Sequence, residues 1–244
     1  MTVVAIPLGG VALELRLPGE WATVPLDDPA SARHAVRAIA LGAAGSSDES
    51  AVLRSPLVRA ALAEIDRGLA EAADSRAPAA APAARPRLLI ARSIVEGIAL
   101  PLSILVSPLA QPVTPARLPT PEAVLDVLEL ALAARVDGFT AAERPDLGRT
   151  IALRRQRVVP ASTEGGPDAT RADPVAAVSG LARLEVEHWL PVPGTRRVVR
   201  LLATTPVVGM DEVIVGFVDA IVRAARWEHP SIIATPSAAG SREG

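Results

Sequence analysis

The sequence predicts an α+β domain in which a mainly antiparallel β-sheet carries helices packed against it. Runs with strand periodicity outnumber helical ones, and several are joined by short turns, which suits antiparallel neighbours. The stretch from Leu181 to Trp227 adds a third observation, because every local signal in it agrees on strand, turn, strand, helix. In its first arm Leu184, Val186, His188 and Leu190 alternate with Arg183, Glu185, Glu187 and Trp189, the period of two that puts each set on its own face. Pro191 to Thr195 forms the turn. The second arm, Arg196 to Thr205, sets Val199, Leu201 and Ala203 on one side and Val198, Arg200 and Leu202 on the other. After Pro206, Ile214, Phe217, Val218, Ile221, Val222 and Ala225 recur at three- and four-residue steps. Acids open this helix and arginines close it, as the helix dipole favours.

Upstream, Val3 to Ile6 and Val11 to Leu17 flank Pro7-Leu8-Gly9-Gly10 and read as an opening hairpin, ended by a turn over Leu17 to Trp21. Asp28-Pro29 is a cap followed by proline at the first helical position, predicting a helix to about Leu41. Ser55-Pro56 repeats that signature before Leu57, Ala61, Ile65 and Leu69. The Ala/Pro stretch from Arg76 to Pro86 holds no large apolar residue and reads as a mobile loop. Leu88 to Val95 and Ile98 to Val106 read as strands at the sheet centre, turning tightly at Glu96-Gly97. Thr120-Pro121 opens a helix whose stripe is Val124, Leu128, Ala131 and Leu132. Thr150 to Val159 is a more polar strand, and a second mobile loop covers 161–174. The whole is expected to be one domain, 1–233, with a disordered tail at 234–244.

Half of the 244 residues are apolar, enough for a sizeable core, while aromatics are 2%, too few for base-stacking or carbohydrate platforms. A net charge of −2 with dispersed arginines gives no footprint for nucleic acid or an anionic membrane. Lysine and asparagine are absent while arginine and alanine abound, a coding bias expected of an actinobacterium. Cysteine is absent too, which removes disulfides and thiolate chemistry. The N-terminus lacks a basic region and a signal-length apolar run, and the Ile98 to Leu109 run is too short for a bilayer, so the expectation is cytoplasmic, without membrane insertion.

Catalytic signatures are missing. His34, His188 and His229 stand at no metal-ligand spacing from one another, and neither glycine pair, Gly9-Gly10 or Gly165-Gly166, sits in a phosphate-binding frame. No nucleophile elbow occurs. The expectation is therefore no enzyme, no cofactor site and no metal site. His34 reads as a surface residue, and His188 as either a core histidine or a pocket base. Glu185 and Glu187 share one strand face, where they either pair as carboxylates or meet Arg154, Arg155 and Arg157 in a cross-strand ladder. Trp21, Trp189 and Trp227 read as indoles closing the ends of a core or, alternatively, as a shared binding patch.

The order Leu17-Pro-Gly-Glu-Trp21-Ala-Thr-Val-Pro25, then strands, then Leu190 to Gly194, Leu202-Ala-Thr-Thr-Pro206 and a final helix ending in Ala225-Arg-Trp227 resembles the actinobacterial Mog1/PsbP-like (LpqN-like) class. The resemblance implies an antiparallel sheet sandwiched by helices in non-catalytic binding or assembly accessories, some associated with type VII secretion. It supplies no catalytic residues. Two functions follow as expectations. The first is a protein-interaction module with an unidentified protein partner, homo-oligomerisation being open. The second is a small-molecule or lipid binder with a pocket lined by Ile98 to Val106 and Ile214 to Val222. For the first, Arg154, Arg155 and Arg157 on the strand Thr150 to Val159 are the partner-docking candidates. They either discourage stray edge pairing or select an acidic partner, and reversing Arg155 and Arg157 is expected to leave folding nearly unchanged.

Overall fold

The computed structural model describes residues 1–8, 10–26, 28–44, 86–94, 101–108, 120–134, 142–160 and 182–228. In chain order these form β1 (Thr2–Pro7), β2 (Ala12–Leu17), β3 (Glu20–Pro25), α1 (Pro29–Ala44), β4 (Arg87–Ser93), β5 (Ser103–Pro108), α2 (Pro121–Ala133), β6 (Leu153–Val159), β7 (Arg183–Pro191), β8 (Val198–Thr205), α3 (Asp211–Ala224) and β9 (Arg226–Glu228). The larger sheet has six strands in the order β3-β4-β5-β8-β7-β6, and the smaller has three, β1-β2-β9. Every pairing is antiparallel. The chain is thus α+β, an antiparallel sheet with helices on both faces, as its periodicity predicts.

The alternation along β7 and β8 assigns the two faces. Leu184, Val186, Leu190, Val199, Leu201 and Ala203 enter one apolar cluster with Leu13, Leu15 and Leu17 of β2 and with α3. Each of the five aliphatic side chains that α3 buries there, Ile214, Val215, Val218, Ile221 and Val222, is worth roughly 1.5–3 kcal/mol of transfer free energy. The opposite face carries two clusters. Under α1, Leu88, Ile90, Leu105 and Leu202 meet Val36. Under α2, Leu153, Trp189 and Val198 meet Val124, Leu125 and Leu128. A sheet covered on both sides explains why nearly all of β7 and β8 is buried.

Both predicted caps form. The Asp28 carboxylate accepts the Ser31 amide at 2.8 Å, and the Thr120 hydroxyl accepts the Ala123 amide at 3.3 Å, satisfying first-turn donors that have no helical partner. The register of β4 with β5, Leu88 opposite Leu105 and Ile90 opposite Ser103, is symmetric about the Glu96–Gly97 bond, although those two residues lie outside the described ones. The strands themselves sit further out than expected, with β5 running from Ser103 to Pro108.

Several expectations are corrected. Residues after Gly19 are not merely a turn: Glu20–Pro25 is an edge strand of the large sheet, with Trp21 buried on one face, Val24 on the other and a register shift between Glu20 and Trp21. The last helix stops at Ala224, and Trp227 belongs to β9, which pairs with β2. In α2 the stripe is Val124, Leu125 and Leu128 with Leu132 beside it, while Ala131 is exposed. The tryptophans do not form one patch, since Trp21 and Trp227 pack on the α3 side and Trp189 on the α2 side. Apart from Pro86, the helix expected after Ser55, the loops near 76–86 and 161–174 and the tail 234–244 lie outside the described residues. Among the described residues no helix is long and apolar enough to cross a membrane.

Candidate functional site

β6 is the last strand of the large sheet, and among the described residues no further strand lies beyond it. Among the described residues its outer side is engaged at one point: Glu143 and Arg154 exchange both backbone hydrogen bonds, each at 2.7 Å. In an antiparallel strand the main chain alternates direction residue by residue. Because Arg154 points outward, so do Gln156 and Val158, whereas Arg155, Arg157 and Val159 point to β7. No backbone bond links Gln156 or Val158 to a described residue on the outer side. Val158 is 49% exposed, so this end of the strand presents an apolar side chain beside main chain that has no partner among the described residues on that side.

The three candidate arginines are each engaged within the chain. Arg155 stands opposite Glu187 and Arg157 opposite Glu185, so the cross-strand ladder is the arrangement the structure contains. Glu187 is 2% exposed and takes one hydrogen bond from Arg155 and another, 2.9 Å long, from Arg200 Nη2. Glu185 is fully buried and takes bonds from Arg157 Nε at 2.7 Å and Arg183 Nε at 2.8 Å. The guanidinium of Arg155 also lies 5.5 Å from the Trp189 ring centroid, within reach of a cation–π attraction. The expectation that Arg155 is a surface charge, free to be reversed at little cost, is therefore corrected. α2 covers this face, and a carboxylate taken out of water needs its guanidinium.

Arg154 projects to the other face. There it hydrogen-bonds Asp219 of α3 and, through Nη2, Glu143. Asp219 in turn lies 2.8 Å from Nε2 of the fully buried His188, Arg154's cross-strand neighbour. His188 is thus a core histidine tied to a helix carboxylate. Its Nδ1 is buried without a partner, and no nucleophile is hydrogen-bonded to it. Burial holds the imidazole below its ordinary titration range, against the opposite pull of Asp219. Burial also works to raise the Asp219 carboxyl, but the bonds from His188 and Arg154 outweigh it and leave it below the usual value.

A pH dependence follows from these directions. The unfolded chain takes up a proton at His188 near pH 6.5, whereas the folded chain resists it. Stability is therefore full above about pH 6.5 and declines below it, by at most about 1.4 kcal/mol per pH unit for that one proton. Asp219, whose folded value is depressed, adds a second loss as pH falls below about 4. Urea titrations at pH 7.5 and 5.5 check this, and a His188→Gln variant should show a flatter profile. An equal decline in that variant would assign the acid sensitivity elsewhere.

Sequence reasoning placed the edge and the ladder but missed Asp219, Glu143, Arg183 and Arg200 as partners. Two of these were signalled. Asp219 lies one turn from both Val215 and Val222 on the buried stripe of α3, and Arg200 shares its strand phase with Val198 and Leu202. His34 is exposed, as expected, and His229 lies outside the described residues. Of the described residues of the second expectation, Leu102, Ile104, Val106, Ile214, Val215, Val218, Ile221 and Val222 pack into one buried cluster, while Leu105 lies in the cluster under α1. Among the described residues no three or more His, Asp or Glu side chains gather where they could hold a metal ion.

These features define an antiparallel α+β sandwich in which β6, an arginine-bearing strand, lies at one edge of the larger sheet. No family model matches the chain, and no curated protein matches it. A solved structure with some similarity is that of LpqN of Mycobacterium tuberculosis, described as involved in cell envelope biogenesis. The two share 13% identity at a TM-score of 0.36, over 93% of this chain and 92% of that one. No residue role follows from so distant a likeness.

Proposed function

We propose that the protein is a non-catalytic interaction module that captures an extended segment of another protein along the outer edge of β6. The observation that carries this reading is the outward main chain of Gln156 and Val158, continuing a line of pairing that Glu143 begins at Arg154. An edge of this kind adds a strand through backbone hydrogen bonds, which supply affinity without any catalytic group. The chain resemblance carried by Leu17 to Pro25 and Leu190 to Trp227 supports an assembly accessory of an actinobacterial, type VII secretion or related system as the setting.

Val158→Pro tests the reading. Proline removes one outward N–H and leaves the β7-facing bonds of Arg157 and Val159 in place, which is how edge strands tolerate it. Partners recovered from a host lysate by the wild-type chain should be lost with the variant. Binding should also slow amide exchange at Gln156 and Val158 ahead of other positions. Equal recovery by a folded Val158→Pro variant would remove β6 as the capturing edge.

A further inference from the structure

We infer that the segment docking on β6 is acidic at the position facing Arg157 and apolar at the position facing Val158, and that it comes from a protein other than a second copy of this chain. The inference rests on the reading of β6 as a capturing edge and specifies what that edge selects. At the open end of the strand, Arg157 and Arg183 both donate to the single carboxylate of Glu185. Among the described residues two positive charges share one negative charge there. Arg157 remains 44% exposed while Glu185 is wholly buried, so a further carboxylate reaches this pair from the solvent side through Arg157. Directly cross-strand opposite charges attract and like charges repel. An incoming strand therefore gains most from an acid opposite Arg157.

The neighbouring position faces the other side of the sheet. Val158 there is half exposed beside Leu184, so the partner residue opposite it covers apolar surface. The pairing of Glu143 with Arg154 supplies an example within the chain, an antiparallel main-chain exchange accompanied by a carboxylate on an arginine of the same strand. Self-association fails the same charge criterion. β6, from Leu153 to Val159, contains no acid, so no register of two β6 strands sets a carboxylate opposite Arg157, and the register centred on Gln156 sets Arg155 against Arg157.

Capped nine-residue peptides alternating threonine and valine, with a glutamate, glutamine or lysine at the centre of the threonine face, provide the probe. The glutamate peptide should bind the full chain about three- to fivefold more tightly than the glutamine peptide, and the lysine peptide more weakly than both. Arg157→Gln, which leaves Glu185 its bond from Arg183, should bring the glutamate and glutamine peptides within twofold of each other. Arg157→Lys should restore part of the preference, which a merely misfolded Arg157→Gln would not allow. Equal binding of all three peptides, lost with Val158→Pro, would keep the edge and overturn the acidic selection. Absence of binding by every peptide would overturn both, as would a dimer of the chain that Val158→Pro dissolves.

Discussion

Arg155→Glu should destabilise the fold by about 3–5 kcal/mol, the usual cost of leaving a buried charge without its partner. The reason is local. Glu187 is nearly inaccessible to water, and the replacement would set a second carboxylate directly opposite it, leaving Arg200 as its remaining donor among the described residues. The Trp189 ring would lose its stacked guanidinium as well. For a chain of this size the melting temperature should fall by on the order of 10 °C. Gln156→Glu, one residue along the same strand but exposed, should stay within about 0.5 kcal/mol. Chemical denaturation of the two variants side by side is the measurement. A difference between them below about 1 kcal/mol would mean that Glu187 is solvated after all.

Gly19→Ala should cost about 3 kcal/mol or more. Gly19 has φ +76°, and a Cβ added there would lie 2.0 Å from the Ser93 carbonyl oxygen and 2.7 Å from Ile94 Cα. The left-handed backbone alone costs a side-chain-bearing residue about 1–2 kcal/mol. The remainder comes from forcing backbone away from backbone, because no flexible side-chain tip is there to yield. Gly194 isolates the first component, since its φ is +67° and nothing lies within 4 Å of its notional Cβ. Gly194→Ala should therefore lose only about 1 kcal/mol. Should the two alanine variants unfold at the same urea concentration, the close approach of the Gly19 turn to Ser93 would carry no energetic weight.

What the sequence made legible was whatever repeats within one element. The two-residue period of β2, β7 and β8, the three- and four-residue steps of α3 and the cap-plus-proline pairs at Asp28 and Thr120 each produced the element they predict. What stayed hidden depended on distant segments. Glu185 and Glu187 occupy the phase that an isolated amphipathic strand gives to water, and only the arrival of α2, from far earlier in the chain, turns that face into an interior. Arg155 was misjudged for the same reason. β9 is three residues long, too short to show any period, and exists because β2 is there to pair with it. For the site, the edge position of β6 could be read from its polarity. The direction of its main chain could not, because that follows from the pairing with Glu143.

The pairing of β9 with β2 also bears on how the chain is made. Leu13 lies opposite Trp227, so the hairpin that forms before every other described element keeps one edge open until the last of them has been synthesised. At ribosomal speeds of about 5–20 residues per second this wait lasts on the order of 10–40 s. For most of it Leu13, Leu15 and Leu17, fully buried in the finished molecule, lack β7, β8 and α3, which are synthesised only near its end. Such far-apart partners also slow the search for the native pairing. The nascent polypeptide, more than the mature one, is thus the form that calls for a chaperone.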